Sequence, residues 1–158
     1  MELPMLENCK TARERWGGTH QMIDRWLGQR QETLVRYFDI SSDTAADQQS
    51  TLLQSFCESL MDYVSAGHFE IYEQLVREAR EFDDGGIELA RTLYPRVEAT
   101  TQVIVDFNDK YDTRDHTNQH VSDLPADLSK LGEAMTERFE MEDQMIERLH
   151  NIHKEQVA

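Results

Sequence analysis

The stretch SDLPADLSKLGEAMTERFEMEDQMIERLHNI, residues 122–152, decides the fold class. Leu124, Leu128, Leu131, Met135, Phe139, Met145, Ile146, Leu149 and Ile152 recur mostly three or four positions apart. That spacing stacks side chains on one face of a helix with 3.6 residues per turn. Ser122-Asp123-Leu124-Pro125 reads as its start, because a proline is tolerated in a first turn, where its missing N–H has no partner to lose. The stripe predicts a helix running almost to the C-terminus. An apolar stripe of this length has to be covered by other helices.

Those helices lie upstream. Ala90, Leu93, Tyr94, Val97, Thr101, Ile104, Phe107 and Tyr111 form a third long stripe. Pro95 removes a backbone donor there and is expected to bend or delimit the helix, leaving the turn before it as a candidate separate piece. Between this helix and the last one, Asp112 to His120 is polar and aperiodic and reads as a connection. Asp83-Asp84-Gly85-Gly86 is a strong break, since glycine accepts the left-handed conformation that ends helices.

Before that break, Leu52, Leu53, Phe56, Leu60, Val64, Ile71, Leu75 and Val76 mark a helical segment from about Asp47 to Phe82. It crosses Ser65-Ala66-Gly67-His68, where Gly67 weakens the helix and a kink or junction is expected. The first segment, Met5 to Phe38, carries Trp16, Met22, Ile23, Trp26, Leu27, Leu34, Tyr37 and Phe38. Gly17-Gly18 is expected to loosen it, with Thr19 available as an N-cap. Ser41 to Asp47 is a polar connection.

No segment alternates with period two for long enough to make a strand. Four long amphipathic segments with modest connections predict an all-α, antiparallel up-down-up-down bundle. A chain of 158 residues can bury one sizeable core, so residues 1–158 are expected to form a single domain.

The composition narrows the function. Lys plus Arg is 16 against 31 for Asp plus Glu, a formal charge of -15. Such a chain repels phosphate backbones and anionic lipid, so direct nucleic-acid or membrane binding is not expected, whereas a basic protein partner is attracted. Cys9 and Cys57 lack the close pairing of a zinc or redox motif, and the N-terminus lacks a basic region followed by an apolar run. The expected location is the cytoplasm.

Enzyme-like motifs find no support. A di-iron bundle needs two Glu-x-x-His pairs plus two further glutamates, and this chain has one such pair, Glu147 and His150, near the end of the last helix. A small metal or cofactor protein using Glu98, Glu142, Glu147 and His150 is kept as the alternative function. His116 and His120, four apart, fit a metal spacing only if their polar segment is helical. Cys57 has no local base and reads as a packed thiol. No catalytic residue, metal or cofactor is assigned.

The most informative stretch runs from Phe56 to Glu73. If Phe56, Leu60, Val64 and Ile71 face the core, then Asp62, Ser65 and Phe69 fall three and four apart on a second, outward-leaning row. A carboxylate, a hydroxyl and an aromatic ring then share one exposed strip. In the competing reading Phe69 fills the core and Ser65 only caps the kink.

This stretch also resembles the Rsd/AlgQ family of anti-sigma regulators, and looks closer to the AlgQ branch. Trp16-Gly17-Gly18-Thr19-His20-Gln21-Met22-Ile23-Asp24-Arg25-Trp26-Leu27, Tyr94-Pro95-Arg96-Val97-Glu98-Ala99-Thr100-Thr101-Gln102 and Leu131-Gly132-Glu133-Ala134-Met135-Thr136-Glu137-Arg138-Phe139 add to the likeness. The resemblance implies a protein that holds the primary (housekeeping) sigma factor of RNA polymerase through its C-terminal promoter-reading domain. Sequestered from core enzyme, that factor yields to alternative sigma factors, in stationary-phase or virulence-related control. Carried over by motif, Asp62, Ser65 and Phe69, with His68 beside them, are the expected partner-binding residues.

Overall fold

In the computed structural model, which describes residues 12–41 and 46–154, helix α1 (Ala12–Ser41) and helix α2 (Ala46–Ala66) lie antiparallel. Trp26 stacks on Tyr63, and Thr33 bonds Ser59 at 2.7 Å. A π-helical turn (Gly67–Ile71) leads into α3 (Tyr72–Phe82). Then come α4 (Gly86–Tyr111), the short α5 (Arg114–His120) and α6 (Leu124–Leu149), which 3-10 turns precede and follow.

With α2, the π turn and α3 counted as one bent segment, the order is up-down-up-down. Val97 and Tyr111 of α4 meet Arg138 and Asp127 of α6, and Trp16 and Tyr37 of α1 reach His150 and Leu128. Both pairings reverse along the sequence, as antiparallel neighbours must. The described residues contain no strand. The bundle encloses one connected cluster of buried apolar side chains drawn from all four long segments.

Several local expectations are corrected by packing. Gly17-Gly18 leaves α1 unbroken, and Thr19 caps nothing because it is buried inside the helix. Phe38 and Ile152 share the periodicity of their stripes, yet they are 65% and 43% exposed, and Tyr94 also reaches solvent. Pro95 sits inside an uninterrupted α4. Proline removes one hydrogen bond there, but the helix is held from outside by the burial of Leu93 and Val97 on either side.

Asp112 to His120 is not an irregular connection, because residues 114–120 form α5. Thr113 caps it by accepting a hydrogen bond from the His116 amide at 3.1 Å, and buried Thr117 anchors it. Seven residues are too few to show helical periodicity, which explains why the pattern alone missed it. The Met5 start expected for the first segment, and Cys9, lie outside the described residues. So does most of the connection before α2.

Two breaks expected from the sequence are present. At the 83–86 break Asp83, with φ of 45°, takes the left-handed helix end, and Gly85, with φ of 92°, opens α4. At the second, the helix widens to i→i+5 bonding, shown by the Tyr72 amide reaching the Gly67 carbonyl. Gly67 is required there by close approach. A Cβ at this position would stand 2.8 Å from Cζ2 of Trp26, whose indole Nε1 donates to the Tyr63 carbonyl at 2.9 Å.

Candidate functional site

The π turn decides which side chains of the 56–73 stretch face water. Phe56, Leu60, Val64 and Ile71 are buried, while Asp62, Ser65, His68 and Phe69 are exposed. One extra residue in the turn lets the core stripe resume at Ile71, with His68 and Phe69 left together on the outside. Phe69 is 63% exposed and packs edge-on against His68, with ring centroids 4.9 Å apart. The reading that sends Phe69 to the core therefore fails. Ser65 caps nothing, because the π turn has no side-chain cap.

The strip lies between two depressions. Asp62 borders a polar one lined also by Glu32, Arg36, Ser55 and Glu58, where Arg36 donates to both Ser55 and Glu32. His68 borders a mostly apolar one of about 420 Å³ that continues past Tyr94 to Val76, Val97 and Met145. A carboxylate at one end and aromatic rings at the other suit a partner that brings both cationic and apolar groups.

Beneath the strip lies a buried ionic layer that sequence reasoning did not assemble. Glu142 is fully buried, accepting from the hydroxyls of Tyr63 and Tyr72, from Arg138 Nε at 3.2 Å and from Arg30 Nη2 at 3.2 Å. Arg138, 1% exposed, also donates to Thr101 Oγ1 at 2.7 Å and Thr100 Oγ1 at 3.1 Å. Arg30 spans the seam to Asp143 at 2.6 Å, with its guanidinium carbon 4.6 Å from the Phe139 ring centroid.

Burial, and then the Glu142 charge, push the Tyr63 and Tyr72 hydroxyls far above the ordinary tyrosine range. Burial works against the Arg30 charge, but Tyr63, Asp143 and Glu142 outweigh it and hold the guanidinium above its ordinary value. All the carboxylate's neighbours donate to it, so the layer is satisfied and fixes the register of α1, α2, α3, α4 and α6. A fourfold spacing of Arg138 and Glu142 inside an apolar stripe was the one signal in the sequence.

The four residues of the metal alternative are not brought together. Glu98 and Glu147 are exposed, the latter accepting from Asn151, while Glu142 is occupied as described. His150 is buried with Nδ1 2.8 Å from Glu78, Nε2 3.1 Å from His20 Nδ1, and its ring stacked on Trp16. His116 is committed to Asp112 at 2.7 Å. Among the described residues no group of three or more His, Cys, Asp or Glu side chains is arranged to hold a metal ion. The Cys57 thiol is buried and pushed up to about 12 by desolvation and the Asp112 charge, which removes its nucleophilic form at neutral pH. No described helix is long and apolar enough to cross a membrane.

Comparison with known proteins identifies the family to which the chain belongs. Residues 5–150 match the family described as "Regulator of RNA polymerase sigma(70) subunit, Rsd/AlgQ". The proteins named "Regulator of sigma D" from Yersinia pseudotuberculosis serotype O:1b (strain IP 31758) and Enterobacter sp. (strain 638) are 32% and 36% identical to it over 148 residues. Each alignment covers 90% of this chain and 88% of the relative. With a match over nearly its whole length, this chain belongs to the Rsd/AlgQ family of regulators of the RNA polymerase sigma-70 subunit.

Proposed function

We propose that this protein is an anti-sigma factor, working in the cytoplasm as one domain over residues 1–158. It binds the primary sigma factor through that factor's C-terminal promoter-reading domain and sequesters it from core RNA polymerase, favouring alternative sigma factors. Asp62, Ser65, His68 and Phe69 form the contact. No catalysis, cofactor or direct nucleic-acid contact is involved.

The observation that carries this reading is the exposure of Phe69 on a rigidly buttressed turn. A ring 63% exposed beside a free-standing carboxylate face gains from association what it did not gain from folding. Asp62 supplies charge-assisted hydrogen bonds to Arg or Lys, Ser65 a local hydrogen bond, and Phe69 the apolar anchor. The formal charge of -15 adds long-range attraction toward a basic DNA-reading surface.

The test is calorimetry and pull-down with the full-length primary sigma factor and with its isolated C-terminal domain. Binding to both, weakened by Asp62→Ala or Phe69→Ala, is expected. Failure to bind either removes the proposal, and undiminished binding of both folded variants removes the strip from the interface.

A further inference from the structure

The bundle is closed on three of its four sides. Helices α1 and α2, α2 and α4, and α4 and α6 pack along one another, whereas α1 and α6 approach closely at few points. Their seam is bridged by long side chains: Arg30 to Asp143, and Tyr37, whose hydroxyl donates to the Leu128 carbonyl at 2.8 Å. Gly132 admits that bridge, since a Cβ there would stand 2.5 Å from the Tyr37 oxygen.

What remains is an open groove of about 760 Å³ between α1 and α6. Its apolar lining is Leu34, Tyr37, Phe38, Met135 and Phe139. Phe38 is 65% exposed, and half-exposed Val35, three residues earlier on α1, extends the apolar surface beyond it. The α6 side carries Glu133, Glu137, Glu140 and Asp143. Arg96 lies 3.5 Å from Glu137 and Arg30 bonds Asp143, but Glu133 and Glu140 are exposed and have no ionic or hydrogen-bond partner among the described residues.

We infer that this groove docks a basic amphipathic helix of a protein partner, whose apolar stripe covers Phe38, Leu34 and Phe139 while its Lys or Arg residues pair with Glu133 and Glu140. The geometry favours a helix because a third helix laid along two splayed antiparallel ones repeats the bundle's own packing. The rim charge selects a basic one. A second copy of this chain is disfavoured by the same rim, since its net charge of -15 would meet a carboxylate edge. The groove shares no residue with the strip on α2, so this inference stands or falls independently of the sigma reading.

A synthetic helical peptide of leucine and lysine, with one apolar face, serves as the probe for the intact protein. Amide chemical-shift changes are expected to centre on residues 34–38 and 132–143. Affinity should fall at least about tenfold in Phe38→Ser and in the double variant Glu133→Lys with Glu140→Lys. The control Asp109→Lys with Asp115→Lys makes the same change in charge elsewhere and should weaken binding far less. Equal losses in both double variants, or undiminished binding by folded Phe38→Ser, would overturn the proposal. So would a concentration-dependent dimer, seen by sedimentation, that Phe38→Ser abolishes.

Discussion

Two sets of side chains alternate along the same stretch of α2, the π turn and α3. Tyr63 and Tyr72, which carry hydroxyls, point inward to a buried carboxylate, while Phe69, which carries none, points to solvent. Hydropathy alone would place them the other way. The inward tyrosines are held because each hydroxyl has a charged acceptor, and a buried polar group with its partner is no longer costly. The outward phenylalanine has no such internal role. The contrast separates what holds the bundle together from the contact proposed for a partner.

If that separation is right, damage to the inner set should be read in stability and damage to the outer set in binding. The largest effect is expected for Glu142→Ala, which strands Arg30 and Arg138 opposite each other in a buried layer. Such a change costs about 3–5 kcal/mol, measurable as a lower urea midpoint. A loss below about 1 kcal/mol would mean that the layer is hydrated and that the contrast is overstated.

Gly67→Ala comes next. It forces a methyl group onto the Trp26 indole, and overpacking of this kind costs about 1–3 kcal/mol. Because Gly67 belongs to the turn that carries His68 and Phe69, this variant should lose both stability and partner binding, and it is the one position where the two sets are coupled. Unchanged stability would show that Trp26 can move aside.

Phe69→Ala and Asp62→Ala should weaken sigma-factor binding by about 1–2 kcal/mol while leaving the urea midpoint within about 0.5 kcal/mol of wild type. Calorimetry and denaturation on the same preparations decide it. A stability loss matching the binding loss would erase the distinction.

The smallest effect concerns the far end of the bundle, where Asp127 takes hydrogen bonds from Lys110 at 2.8 Å and Tyr111 at 2.7 Å. Desolvation raises the Asp127 carboxyl, but these two partners outweigh it and hold it below its ordinary value near 3.8. A carboxylate depressed by folding stabilises above that ordinary value, and the contribution is lost as pH falls through the folded-state value. The urea midpoint should therefore drop as the pH falls from about 5 to well below that ordinary value, and Asp127→Asn should remove up to about 1 kcal/mol of that drop.

The all-α class and the four-segment order are legible in the sequence because apolar spacing is a local, one-dimensional signal that burial in a bundle enforces, whereas the family is legible only through the resemblance of particular motifs. The breaks at 65–68 and 83–86 are legible from their glycines, but the same signal at Gly17-Gly18 fails because α1 runs through it unbroken. The exposed strip is half legible: spacing places Asp62, Ser65 and Phe69 on one row, but only the tertiary structure decides that the row faces water.

The remaining features depend on atoms from distant parts of the chain. Pro95 stays inside α4 because burial on both sides of it outweighs one lost hydrogen bond. The open α1/α6 seam leaves Phe38 uncovered although its stripe is regular. Glu142 meets Arg138 four residues earlier on its own helix, but it also collects Arg30, Tyr63 and Tyr72 from distant parts of the sequence, and no spacing rule joins residues so far apart. Periodicity determines which face of each helix seeks a partner; which faces find one, and which polar groups meet inside, follows from how the helices are laid against one another.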